Sequence, residues 1–295
     1  MWLPVVIIAY FLNAIALAVD KKLLNKGIPQ PAVYTFYIAA LGLLVWVLAP
    51  WGWHWAGSGI FLYSLLAGVL FTTALLIMFM AVSRDEVSRI TPIIGGFSPL
   101  FVFFLAWWWL GEALSGNQLW AFVLVVLGSL LISMRWRQWR KTQWRALVLA
   151  ILSAAIFGAH YVLSKFIYER VDFITGFIDI RTGAFLGALL LLLIPAWRYS
   201  IFHRSAGNNK QTAGWFLTGQ TTGALSAVMV NWAVALGSVT LVNALQGLQY
   251  VFLFFIVLLM ARIYPSWLKE ENARSVWWQK ALAIILISIG IYLLA

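Results

Sequence analysis

The sequence predicts an all-α integral membrane protein with ten transmembrane helices, arranged as two inverted five-helix repeats. Three observations carry that reading. Of 295 residues, 63% are hydrophobic and only 10% are charged, where a soluble domain is about a quarter charged. The apolar residues fall into ten runs close to the length that crosses a bilayer, about 20 residues. Five runs precede the basic stretch 135–145, RWRQWRKTQWR, and five follow it. The domain organisation is therefore a first repeat at 1–134, a basic linker at 135–145 and a second repeat at 146–295.

The runs justify themselves in order. Segment one spans 3–19. It has no basic leader and no small-x-small cleavage site, so it is read as a spanning helix rather than a signal peptide. Segment two runs from Pro31 to Pro50, and the uncharged aromatic link WGWHWAGSG after it suits a membrane interface. Segment three, 60–82, stops at SRDEVSR. Segment four, 90–110, ends in Trp107, Trp108 and Trp109, which read as interface anchors. The turn GEALSGN leads into segment five, 118–134.

Segment six, 146–168, ends at ERVD, and segment seven spans 173–196. WRYSIFHRSAGNNKQ is expected to be a polar loop. Segment eight is 213–236, and a link of Gly237 and Ser238 joins it to segment nine, 239–261. Segment ten is 276–294. Backbone polar groups cannot stay unpaired in lipid, so these runs are expected to be helices. The short alternating strands of a barrel are not seen.

Charge distribution sets the topology. The net charge is +11. The cations lie between the apolar runs, which excludes a nucleic-acid partner and points to lipid headgroups. Links one, three, five, seven and nine carry Lys21, Lys22, Lys26, Arg84, Arg89, the five cations of 135–145, Arg198, Arg204, Lys210, Arg262, Lys269, Arg274 and Lys280. The other side carries Lys165 and Arg170. These odd links are then cytoplasmic and both termini outside, in a plasma or inner membrane. Cysteine is absent, which excludes disulfides, thiolate metal sites and a cysteine nucleophile. No metal or cofactor is expected.

The two halves echo one another. VSRITPIIGGFSPLFVFFL at 87–105 aligns without a gap on VTLVNALQGLQYVFLFFIV at 239–257, with Gly95 on Gly247. Residues 3–24 sit beside 147–168, placing Lys21 on Lys165, and Pro50 falls on Pro195. With an odd number of spans per half, the second half inserts upside down. Carriers that alternate access around a midplane site use that arrangement.

Several short motifs add a resemblance. Pro99 is followed by Leu110-Gly111-Glu112, then by Gln118 at the start of segment five and Gly128 late in it. In the second half Gln279 and Gly290 correspond, while Val251 replaces the proline and a longer loop ending LKEE replaces LGE. Lys21 and Lys165 close the first helix of each half, and Arg181 sits in the second helix of the second half, where the first half has Phe36. With these features the chain resembles the drug/metabolite transporter superfamily, EamA type. The resemblance implies a ten-helix transporter fold and leaves the substrate open.

Polar side chains within the spans are candidates for a site, because an unpaired polar group in lipid is expensive. Arg181 lies about 12 Å into segment seven, counted from Phe173, and suits a carboxylate or phosphate. Asp179, two residues earlier, points elsewhere on the helix. With His160 and Lys165 it is a candidate for coupling or gating; a structural ion network is the plainer alternative. Asn243, Gln246, Gln249 and Tyr250 follow helical spacing, so one face of segment nine is expected to line a cavity. Thr91 is the polar counterpart in segment four. Gln220, Asn231 and Asn13 complete the substrate-binding candidates, with interhelical hydrogen bonding as the alternative. Pro92, Gly95, Gly96, Pro99 and Gly247 are candidates for a hinge or for close packing.

The function expected is a secondary active transporter of a small polar metabolite, an amino acid or organic anion, driven by protons or exchange. No phosphate-binding GK[ST] loop is present. An intramembrane lipid-modifying enzyme lacks paired carboxylates, HExxH or GxSxG in a span. A channel lacks a repeated filter or rings of one charge. The partners expected are a small-molecule substrate and membrane lipid, with the protein a monomer or homodimer.

Overall fold

The computed structural model describes residues 2–24, 30–85, 87–133, 143–203, 210–263 and 274–294; its side chains are described at 2–19, 30–85, 89–132, 143–203, 218–259 and 278–294. Most of the basic linker, 134–142, lies outside the described residues, as does the side chain of Lys21.

Among the described residues every element is helical. They are α1 (Trp2–Leu24), α2 (Pro31–Leu41), α3 (Ser58–Val82), α4 (Val87–Leu105), α5 (Gly116–Ser133), α6 (Trp144–Tyr168), α7 (Phe173–Leu191), α8 (Pro195–His203), α9 (Lys210–Leu236), α10 (Val239–Ala244), α11 (Leu248–Ile263) and α12 (Arg274–Tyr292). Seven spans are long and apolar enough to cross a membrane, and the shorter apolar helices Gly116–Ile132 and Trp278–Tyr292 accompany them. The protein is thus a multi-pass helical membrane protein. Each of the ten expected segments contains a helix, and α10 and α11 share segment nine.

Local sequence explains the starts and stops. Pro31 opens α2 at a position whose N–H would be unpaired in any case. The segment then tightens into a 3₁₀ stretch, Gly42–Trp51. At the end of segment four the helix widens into a π turn, Ala106–Leu110. Gly111 terminates it at φ 68°, a left-handed conformation that favours glycine, and the Glu112 N–H returns to the Ala106 carbonyl at 3.1 Å. The Leu-Gly-Glu motif is therefore a helix stop.

The glutamine after it is a helix start. Gln118 Oε1 accepts from the Ser115 N–H at 3.0 Å, and Ser115 Oγ accepts from the Gln118 N–H at 3.4 Å, a reciprocal capping box. Asp172 caps α7 by accepting from the Thr175 N–H, and Ser238 caps α10 by accepting from the Leu241 N–H.

One element differs from expectation. The stretch read as a polar loop after segment seven begins with a helix, α8, because Pro195 is a good first residue and Ser200 and Ile201 find buried positions. Helix α7 correspondingly ends at Leu191, three residues before the strained position preceding proline.

The helices pack as two compact units, and neither is a sequence half. One unit holds α1, α5, α9, α10, α11 and α12. Here α1 packs on α9 and α11, and α5 packs on α12. The contact of α5 with α12 is built from matched glycines. A Cβ on Gly128 would collide with Ile287 and the Ala283 carbonyl; one on Gly290 would collide with Val125 and the Ala121 carbonyl.

The other unit holds α2, α3, α4, α6, α7 and α8. Here α6 packs on α3 and α4, and α7 packs on α2, on the 3₁₀ stretch and on α3. Gly68 and Gly183 let α3 and α7 approach backbone to backbone. Within each unit, the first helix of one half packs on the third and fourth helices of the other half.

Candidate functional site

Helix α7 carries a buried carboxylate, Asp179, and a partly buried guanidinium, Arg181, in the second of these units. Asp179 is only 2% exposed. Its Oδ1 accepts from the indole N–H of Trp53 at 3.0 Å. Trp53 lies in the strap 52–57 that joins the 3₁₀ stretch to α3, and its ring rests on Trp46 at 5.2 Å. Trp46 in turn donates to Thr182 Oγ1 at 3.0 Å.

The strap is tied to the start of α7. The His54 N–H donates to Thr175 Oγ1 at 3.2 Å, and that hydroxyl donates to the Gly52 carbonyl at 3.3 Å. The His54 ring places Nδ1 3.2 Å from Asp172 Oδ2.

Arg181 faces a different wall. Its guanidinium carbon lies 5.0 Å from the ring centres of both Phe71 and Phe177. Among the described residues no carboxylate pairs with it. Its charge reaches His160, Tyr161 and Tyr168 electrostatically. His160 packs its ring on Phe71 at 5.3 Å and donates from Nδ1 to the Ala67 carbonyl at 2.9 Å. This is a cation against aromatic faces, with an imidazole and phenols nearby. Such a cation-π cradle stabilises a guanidinium without discharging it.

The four charged or ionisable candidates therefore do not form one ion cluster. Lys165 pairs with Glu169 at 3.7 Å, one turn on. Asp179 is held by Trp53, His160 by Ala67, and Arg181 by rings.

The amides of the other unit are largely engaged. Asn13 Nδ2 donates to Gln249 Oε1 at 2.6 Å, across 236 residues of sequence. Asn243 donates to the Val239 carbonyl, and Asn231 to the Ala227 carbonyl, each within its own helix. The expected single face of segment nine is interrupted by a 3₁₀ turn, Leu245–Gly247, which shifts the register between Asn243 and Gln249. Asn243 and Gln249 are buried; Gln246, Tyr250 and Gln220 are partly so. Thr91 is partly buried in α4 of the second unit.

The hinge candidates divide. Pro92 and Pro99 lie inside a continuous α4, and Gly95 and Gly96 are buried there. Gly247 is packed so closely on Ser129 of α5 that no side chain fits. A groove of about 420 Å³ opens beside the start of α2, the end of α3 and α8, lined in part by Arg84, Ser83 and Trp197; none of the expected site residues lines it.

Sequence reasoning missed Trp53, His54, Thr175 and Phe71. The first two sit in a link read only as an interface feature. Phe71 is one apolar residue among many, and nothing in its own segment marks it as Arg181's neighbour.

The membrane-length apolar helices define a polytopic membrane protein. The model of the EamA-like transporter family matches residues 1–134. That match marks residues 1–134 as similar to the EamA-like transporters, a family within the drug/metabolite transporter superfamily. A solved crystal structure of a protein superposes with a TM-score of 0.65 at 15% identity, over 98% of this chain and 95% of that one, a likeness that bears on the fold. No curated protein matches the chain.

Proposed function

We propose that the protein is a secondary active transporter of a small polar metabolite, of the amino acid or organic anion class. Arg181 binds the substrate's carboxylate. One observation carries this: a guanidinium inside a spanning helix with no carboxylate partner among the described residues. A charge left without a counterion in a membrane protein is costly, and a bound anion offsets that cost. Contact with aromatic rings is compatible with bidentate hydrogen bonds from a guanidinium's N–H fork.

Transport proceeds by alternating access between two inverted repeats, 1–134 and 146–295. The reciprocal glycines Gly128 and Gly290, and the like packing of α1 and α6 within their units, support the repeat. Coupling is to protons or by exchange, with Asp179 as the proton-carrying group. The basic links face the cytoplasm of a plasma or inner membrane, with both termini outside. Gln246, Gln220, Tyr250 and Thr91 supply further polar side chains from the spanning helices.

The test is uptake of anionic amino acids and organic acids into proteoliposomes. Arg181→Gln is expected to lose most uptake of the anionic substrate while remaining folded. Unchanged uptake removes Arg181 from the site.

A further inference from the structure

The strap 52–57 stands out because its contacts converge on one buried group. Asp179 lies about 9 Å along α7 from Phe173 and is 2% exposed. The indole N–H of Trp53, at 3.0 Å, is the hydrogen-bond donor that the strap supplies to it. Behind Trp53 stands Trp46, itself fixed to Thr182 on the next turn of α7. Thr175 ties the strap's backbone at Gly52 and His54, and Asp172 faces the His54 ring. The strap ends at Gly57, whose φ of 92° favours glycine and around which a Cβ would meet nothing within 4 Å.

We infer that Trp53 is a positioning residue for Asp179. Its indole holds the carboxylate in place and shut from water, and the strap must lift, pivoting at Gly57, before Asp179 exchanges a proton. The inference rests on the reading of Asp179 as the coupling group.

The chemistry balances simply. With the strap lifted, hydronium on that side gives its proton to an Asp179 carboxylate oxygen and leaves water. On the other side the carboxyl returns the proton to water. No bond to substrate forms. While the strap is down, the indole N–H takes one lone pair of Oδ1, and the buried position excludes the water that would carry the proton.

Strap residues are fixed by a handful of hydrogen bonds, so opening requires breaking few contacts. Such segments belong to the low-stability end of a protein's local openings. Two substitutions weaken the latch in different ways. Trp53→Phe keeps an aromatic ring and removes the N–H. Thr175→Val leaves Trp53 in place and unties the strap at Gly52 and His54.

The experiment uses the full-length protein in liposomes and a carbodiimide probe, read at Asp179 by peptide mass spectrometry, with Asp179→Asn as the blank. Carbodiimides react with protonated carboxyl groups that they can reach, giving an O-acylisourea that rearranges to a stable N-acylurea. Modification of Asp179 is expected to rise roughly fivefold to tenfold in Trp53→Phe, the effect of one lost hydrogen bond on an opening equilibrium. Thr175→Val is expected to move it the same way. The substrate KM should stay within about twofold of the parent while the maximal proton-driven rate falls, the split expected when ground-state binding is intact. Equal Asp179 modification in the parent and both variants overturns the latch. Gradient-driven uptake that survives Asp179→Asn overturns the coupling reading instead, and the two failures are thereby told apart.

Discussion

Gly128 of α5 and Gly290 of α12 each occupy the position where the other's helix backbone comes closest. Gly128 faces Ala283 and Ile287; Gly290 faces Ala121 and Val125. The three pairs keep one sequence offset, so the contact maps onto itself when the two helices are exchanged. In lipid, helices gain no hydrophobic drive toward one another, and close backbone approach at small residues supplies dispersion contact instead.

Filling that contact should destabilise the protein without touching its charges. Gly128→Val and Gly290→Val are each expected to cost about 1–3 kcal/mol, the usual penalty for overpacking. Their combination should cost less than the sum, because the first substitution already separates the helices. Thermal unfolding in detergent reads this, and full additivity would argue against a shared contact.

The Asn13–Gln249 pair should behave as a stabilising link between α1 and α11. A double-mutant cycle with Asn13→Val and Gln249→Leu is expected to give a coupling of roughly 0.6–1.7 kcal/mol, the range seen for hydrogen bonds between membrane helices. Single substitutions leave one amide unpaired and should be the worse tolerated. A coupling of zero would argue against a stabilising link between the two amides.

At Arg181 the guanidinium should not be replaceable by a simple ammonium. Arg181→Lys keeps the charge but loses the planar fork and its stacking against Phe71 and Phe177. We expect an uptake KM raised roughly tenfold, the equivalent of about one charge-assisted hydrogen bond. A lysine variant with parental kinetics would mean that only net charge matters there.

Orientation is open to a direct test, because the chain has no cysteine. Ser115 and Gln143 are exposed at opposite ends of α5's flanking links. In intact cells a membrane-impermeant maleimide should label Ser115→Cys, whereas Gln143→Cys should require permeabilised cells. The reverse pattern would invert the topology read from the basic links.

The helical segments were legible because bilayer length and apolar runs impose them. The Leu-Gly-Glu turn and Gln118 were legible as motifs, and the structure supplies their cause in a left-handed glycine and a capping box. What escaped was tertiary. Gln249 and Asn13 read as separate polar groups, and nothing in either segment announces their pairing. Asp179 and Arg181 lie on one helix, yet Trp53 comes from a strap and Phe71 from α3, which no local pattern announces. The break at Leu245–Gly247 escaped because a 3₁₀ turn uses the same apolar residues as the α-helix around it.

The sharing of helices between units bears on how the chain is made. All members of the unit containing α7 have left the ribosome once His203 has emerged. By then α1 and α5 have long been in the membrane, yet α9, α11 and α12 have still to be synthesised. During that interval Asn13 has no Gln249 to meet, and Gly128 faces lipid. Biogenesis therefore passes through a half-assembled stage in which early helices wait on late ones. A chain truncated after His203 should yield one protease-resistant core and leave α1 open to digestion.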